Sequence, residues 1–207
     1  MSGVTDRAIA DRTDVYFNRT RSIVEKFGDA RVTYAVFLRR PVISAPRIAV
    51  DWLRAVAAER GTAFDIELVH EEGQWVGAGD PLLYLTGSFA KLADLETLYL
   101  QKLGAPCVAA HNAYQMSLEL PKSAFLAMDA RHCAGAEMQD MMAYAASVGS
   151  QAAQREGAQR AMREECSRLG IVAIHEMAGP TISGEADLTG LMRLAETEPG
   201  PVVTGYW

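Results

Sequence analysis

Four glycines fall close together at positions 73, 77, 79 and 87, and they punctuate apolar runs too short for helices. The stretch reads Glu72-Gly73-Gln74-Trp75-Val76-Gly77-Ala78-Gly79-Asp80, then Pro81-Leu82-Leu83-Tyr84-Leu85-Thr86-Gly87. Glycine enters the backbone conformations of tight turns without a Cβ clash. Residues 70–87 are therefore expected to be short β segments joined by turns, a compact β unit that gives the front of the chain a mixed α+β character.

The surrounding segments supply helices and strands for such a unit. Residues 1–30 are polar apart from Tyr16-Phe17, and a short helix is expected through Ile23, Val24 and Phe27. Arg31 to Leu38 alternates as a strand. Pro41 and Pro46 punctuate a loop, and a helix from Pro46 to Glu59 follows, with Ile48, Trp52, Leu53 and Val56 on one stripe. Phe64 to Val69 is a second strand. Leu92, Leu95, Tyr99 and Leu103 mark a helical face that Gly104 is expected to end, with another helix over 107–118. From about residue 123 the chain reads as βαβ-like: a buried strand over 123–129, helices over about 135–147 and 151–168, and a buried strand over 171–174. No internal repeat and no flexible linker interrupts this order.

Composition narrows the function class. With 207 residues, 49% hydrophobic, the chain can bury a core without disulfide or metal staples, and whole-chain disorder is excluded. The net charge of −6 argues against a nucleic-acid binder but leaves room for a small anionic substrate held by local arginines. The three cysteines, Cys107, Cys133 and Cys166, form no CxxC or zinc spacing, so reduced thiols and a cytoplasmic location are expected. No run reaches the ~20 apolar residues of a membrane span, and the first residues lack a signal-peptide core. The final Val202-Val203-Thr204-Gly205-Tyr206-Trp207 reads as an element cut short.

Two segments could carry chemistry. Thr13-Asp14-Val15-Tyr16-Phe17-Asn18-Arg19-Thr20 sets an aromatic face beside a carboxylate and a guanidinium. Such a face can stack on a flat heteroaromatic ring, while arginine forks onto carboxylate or phosphate. The plainer alternative is an N-terminal arm anchored by Tyr16 and Phe17. Met128-Asp129-Ala130-Arg131-His132-Cys133 follows the expected buried strand, and strand exits are where α/β folds bind ligands. Its plainer alternative is an Asp129–Arg131 pair or a helix cap.

These segments, with Gly79-Asp80-Pro81-Leu82-Leu83, Leu85-Thr86-Gly87 and Leu95-Glu96-Thr97-Leu98, stand in an order that resembles the N-terminal part of the nicotinate phosphoribosyltransferases, from Thr13 to about Gly157. The resemblance implies an N-terminal α/β region packed on an incomplete TIM-like barrel, assembled as a head-to-tail homodimer. It implies nicotinate and phosphoribosyl pyrophosphate as substrates, nicotinate mononucleotide as product, and Mg²⁺ and ATP as cofactors. Tyr16 matches the tyrosine that stacks on the pyridine in the partner subunit's site, Asp14 the acidic residue beside it, and Arg131 the strand-exit arginine near the pyridine substituent. Met128 stands where the family has a stacking aromatic, and His132 takes a variable position with no assigned role.

After Gly157 the chain departs from the family, with no Gly-rich phosphate loop where one would follow. Leu169-Gly170-Ile171-Val172-Ala173-Ile174-His175-Glu176 and Met177-Ala178-Gly179-Pro180 bear a weaker resemblance to a strand of a metal-dependent amidohydrolase. A lone His-Glu pair lacks the three or four converging ligands of a metal site, so no metal is assigned to it. The expected organisation is residues 1–120 as the N-terminal domain, 121–157 as the start of a barrel, and 158–207 as a divergent tail. The expected function is a nicotinate phosphoribosyltransferase homologue, weak or inactive alone. The alternatives are a non-catalytic dimerising remnant and an amidohydrolase-like fragment.

Overall fold

A computed structural model describes residues 6–123, 132–177 and 183–206. The chain begins with α1 (Asp6–Ala10) and α2 (Val15–Phe27), followed by β1 (Arg31–Phe37), β2 (Val42–Ile43) and α3 (Arg47–Glu59). The glycine-rich region then supplies β3 (Asp65–Leu68), β4 (Trp75–Val76) and β5 (Pro81–Ser88). β5 is the centre of an antiparallel sheet ordered β1-β5-β3, and β2 pairs with β4 beside it. Gly73 and Gly79 hold φ of +85° and +84°, the left-handed turn backbone expected of them. Gly87 does something else. It lies inside β5, and a Cβ there would sit 2.9 Å from the Phe64 ring and 3.2 Å from Leu92, so its small size admits neighbours rather than a turn.

Leu82, Leu83 and Leu85 of β5 are almost fully buried, in one core cluster with Ala49, Val50, Leu53 and Val56 of α3. Pro46 caps α3 at its start, as the sequence predicts. The short α4 (Phe89–Leu92) leads to α5 (Glu96–Glu119) and then α6 (Ala136–Arg168). One core cluster runs from Ile9 through these elements to Ala153.

The rear half corrects the expectations in three places. Gly104 does not end a helix: α5 continues through Gly104 and Pro106, because Leu98, Leu103, Cys107, Ala110, Ala113 and Tyr114 form one buried face across them. An interior proline costs about 3 kcal/mol, and each large apolar side chain buried along that face returns about 1.5–3 kcal/mol. The helices expected over 135–147 and 151–168 are one helix, α6, and Gly149 lies within it as a contact point. A Cβ at Gly149 would stand 2.0 Å from the Ala110 carbonyl oxygen, so α5 and α6 touch backbone to backbone there.

The strand expected to be buried over 171–174 is instead β6 (Ala173–Met177), exposed on one face. Ile171 and Val172 precede it and are 42% and 79% exposed. Among the described residues β6 pairs only with β7 (Val202–Tyr206), in parallel, and α7 (Glu185–Thr197) connects the two and packs on one side. Alternate residues of both strands therefore face solvent. The expected strand over 123–129 lies, from residue 124, outside the described residues. Among the described residues the strands form sheets of three, two and two, none closed into a barrel, and no helix is long and apolar enough to cross a membrane.

Candidate functional site

Two of the motif segments meet in space. Asp14 precedes the first turn of α2 with extended backbone, yet its carboxylate does not cap that helix. It accepts a hydrogen bond from Thr97 Oγ1, 3.1 Å away, at the start of α5. The Asp14 amide and the Thr13 hydroxyl both donate back to Thr97 Oγ1 at 3.4 Å. A single threonine hydroxyl thus joins the heads of two helices 83 residues apart in sequence.

A deeper charge cluster fixes α2 to the body. Asp94, fully buried between α4 and α5, accepts both Nη atoms of Arg60 at 2.7 Å and Nη1 of Arg21 at 2.8 Å. Arg21 extends from α2, and Arg60 follows α3 and is itself nearly inaccessible. Asp6 bridges the two guanidinium groups from outside, at 2.9 Å and 3.2 Å. Buried ions need partners of this kind, because removing one leaves an uncompensated charge. The network holds α1, α2, α3 and the head of α5 in one arrangement.

On that platform Tyr16 is 59% exposed, its ring 4.1 Å from Phe17 in a tilted contact. Glu96, the first residue of α5, has its carboxyl raised above the usual range by burial and then by the Asp14 charge. Partial desolvation, then the Asp14 and Glu96 charges, raise the Tyr16 phenol. Burial followed by Glu96 raises Tyr34 on β1 in the same way, and burial raises Tyr99 much further. Tyr99 is only 3% exposed. The Glu96 charge thus bears on three phenols, and the Asp14 charge on Glu96. The Leu95-Glu96-Thr97-Leu98 motif marks Glu96 and Thr97 in the sequence, but their meeting with Asp14 carries no local signal.

The other expected residues are less informative. Arg131 and Met128 lie outside the described residues, and His132 is exposed. The His175 ring stacks near Tyr206 at 6.2 Å, while Glu176 accepts from Ser183 Oγ at 3.3 Å. Among the described residues no group of three or more His, Cys, Asp or Glu side chains is placed to hold a metal ion.

Sequence reasoning missed one feature entirely. A cleft of about 270 Å³ opens between the 69–75 segment, α6 and α7. Its floor holds Glu156, 6% exposed, which accepts from the Tyr114 hydroxyl at 2.5 Å and from Arg193. Arg160 reaches the other carboxylate oxygen at 2.7 Å, and the Arg193 guanidinium lies 5.4 Å from the Trp75 ring centre. The one sequence trace is the i,i+4 spacing of Glu156 and Arg160, indistinguishable from a surface pair.

No family model matches the sequence, and no curated protein matches it by sequence. Solved structures do match the fold. Nicotinate-nucleotide pyrophosphorylase from Francisella tularensis aligns over 96% of this chain and 80% of its own, at 14% identity and a TM-score of 0.55. The enzyme of the same name from Pyrococcus furiosus aligns over 99% of this chain and 67% of its own, at 15% identity and 0.56. Human nicotinic acid phosphoribosyltransferase aligns over 66% of this chain but 34% of its own, at 21% identity and 0.57. At these identities the likeness is one of fold, and the chain has a mixed α/β fold similar to that of these phosphoribosyl-transferring enzymes.

Proposed function

We propose that the chain is a pyridine phosphoribosyltransferase of NAD biosynthesis, joining nicotinate to phosphoribosyl pyrophosphate as a homodimer. The observation that carries this reading is the clasp between Asp14 and Thr97, which brings together the two motif segments that bear the resemblance. The fold likeness to nicotinate-nucleotide pyrophosphorylase and nicotinic acid phosphoribosyltransferase supports it.

In this reading Tyr16 stacks on the pyridine ring across the dimer, held in place by Asp14, and Arg131 reads the ring carboxylate through a forked pair of hydrogen bonds. The pyridine nitrogen lone pair forms the bond to C1 of the ribose as the C1–O bond to pyrophosphate breaks, the leaving oxygen taking the electron pair. With Met128 in place of an aromatic, the second face of the ring meets a softer, weaker partner. No step of this reading is assigned to the Mg²⁺ and ATP that the resemblance implies.

A second reading, a non-catalytic dimerising remnant, draws support from the exposed β6–β7 face, where Val202 and Met177 are 66% and 63% exposed. One experiment separates the two. Calorimetry with nicotinate should show binding that Tyr16→Ala and Arg131→Ala each abolish. Chromatography of a reaction with nicotinate, phosphoribosyl pyrophosphate, Mg²⁺ and ATP then reports mononucleotide. Binding without product favours the remnant, and unchanged binding in both variants sinks the site assignment.

A further inference from the structure

The buried leucines of α7 stand apart from the core of the rest of the chain. The core cluster that begins at Ile9 ends at Ala153, and neither Leu188, Leu191 nor Leu194 belongs to it. Leu188 and Met192 lie against β7 instead: a Cβ at Gly205 would stand 2.6 Å from Leu188 Cδ1 and 3.2 Å from Met192 Sδ. With β6 and β7 bonded to each other, β6, α7 and β7 supply much of their own packing and backbone pairing. Among the described residues, this unit packs on the rest of the chain chiefly through α7 on α6.

Hydrogen bonds and ion pairs cross that joint. Gln159 Nε2 donates to the Asp187 carbonyl at 2.8 Å, and Gln74 Nε2 to Thr189 Oγ1 at 3.1 Å. Arg160 holds the Glu198 carboxylate at 2.7 Å. The buried Arg163 donates to the Glu198 and Pro201 carbonyls, both at 3.1 Å, in the turn between α7 and β7. Arg193 of α7 reaches Glu156 on the floor of the cleft, beside Tyr114 of α5. When such a joint parts, its ions and carbonyls are hydrated again, which offsets most of the bonds lost. An apolar core has no such compensation when it opens. The chain also offers a pivot. α6 ends at Arg168, and Gly170, with φ of +77° and open space beside it, precedes Ile171 and the largely exposed Val172.

We propose that β6, α7 and β7 swing away from α6 as one body while the front of the chain stays folded, and that Glu156 is the latch of this movement. Its carboxylate joins three helices: its own α6, α5 through Tyr114, and α7 through Arg193. Opening turns the cleft between the 69–75 segment, α6 and α7 into a free face. The movement is a sub-global opening, cheaper than unfolding because the main core is left intact. None of it depends on the phosphoribosyl-transfer reading.

Hydrogen exchange of the full chain, followed peptide by peptide in a mass spectrometer, reads the opening directly. Relative to their unfolded rates, the amides of α7, β6 and β7 should exchange together, at least about tenfold faster than those of β5 and of α5 around Ala110. Glu156→Gln should speed the first group by about a further tenfold and leave β5 unchanged. Gln159→Ala, a milder change at the same joint, should speed it about threefold, and it carries the test if Glu156→Gln does not fold. Protection of α7, β6 and β7 equal to that of β5 overturns the inference. So does a variant that speeds β5 and β7 by the same factor, since the joint then parts only with the whole chain. Unequal protection of α7 and β7 overturns it as well, because the unit is then not one body.

Discussion

Gly149 and Gly157 both lie inside α6, so propensity alone predicts the same outcome when either becomes alanine. Removing a glycine from a helix interior stabilises by about 1 kcal/mol, because the unfolded chain loses freedom it would otherwise keep. At Gly157 nothing lies within 4 Å of the added Cβ, and Gly157→Ala should show that gain. At Gly149 the added carbon would stand 2.0 Å from the Ala110 carbonyl oxygen, 2.8 Å from its carbon and 2.9 Å from the Tyr114 nitrogen. All three are backbone atoms of α5, so no side chain can rotate away. Real Cβ atoms keep at least 3.0 Å, so the helices must part by about 1 Å along a crossing packed with Ala110, Ala113, Ala145, Ala152 and Ala153. Overpacking of that kind costs about 1–3 kcal/mol and more where the backbone itself must move. Set against the propensity gain, Gly149→Ala should be destabilising by about 2 kcal/mol. Urea unfolding followed by circular dichroism would show it as a midpoint about 1 M lower, given a slope near 2 kcal/mol/M, while Gly157→Ala moves the midpoint up. If Gly149→Ala stabilises as much as Gly157→Ala, the backbone contact between α5 and α6 does not exist.

Asp94→Asn should cost about 3 kcal/mol in thermal or urea unfolding, because Arg60, nearly inaccessible, loses its buried counter-charge and keeps only the half-exposed Asp6. Adding Arg60→Met should recover part of that loss, and additive costs would show that the pair does not interact. Asp6, Glu137 and Glu198 have carboxyls held below the usual range: Asp6 against burial by Arg60 and Arg21, Glu137 by the Lys102 hydrogen bond, and Glu198 by the Arg160 hydrogen bond. Groups with depressed folded values add stability that is present above the unfolded carboxylate range and lost as pH falls through the folded values, so the urea midpoint should drop below about pH 4. A midpoint that stays level from pH 6 to pH 3 contradicts these pairings. Burial pushes the Cys107 thiol up to about 12, with only the Ala45 amide opposing. Iodoacetamide at pH 8 should therefore modify Cys133 and Cys166, both half-exposed, and leave Cys107 unlabelled in peptide mass spectra of the folded chain.

The glycines show where sequence reading works and where it stops. Gly73 and Gly79 mark turns because a left-handed backbone is a local property, and the chemistry that demands it lies within the adjoining residues. Gly87, Gly104 and Gly149 carry the same residue type with no such demand. Gly87 and Gly149 exist for a partner far away in sequence: the Phe64 ring in one case, the Ala110 carbonyl in the other. A lone sequence offers no means to separate a glycine that bends the chain from one that lets another chain segment approach. The strand at 171–174 failed for a related reason. Four apolar residues read as buried only if something covers both faces, and α7 covers one. The clasp between α2 and α5 was legible at the level of its parts: Asp14 and Thr97 both stand in recognisable segments, whereas the hydrogen bond that joins them spans 83 residues.

The site and the helix crossing are one mechanical problem, because α5 takes part in both. The helix that receives Gly149 at Ala110 presents Glu96, Thr97 and Tyr99 at its first turn, about 20 Å along the same rod at 1.5 Å per residue. At the far end, Thr97 holds Asp14 by a hydrogen bond of 3.1 Å. A displacement of about 1 Å passed along α5 would stretch that bond past the distance at which hydrogen bonds hold. The buried Asp94, accepting from Arg21 of α2 and from Arg60, resists that movement from the other side. The position of Tyr16 is therefore decided by two buried contacts that never touch it: a glycine that lets α5 seat against α6, and an aspartate that ties α2 to the turn before α5.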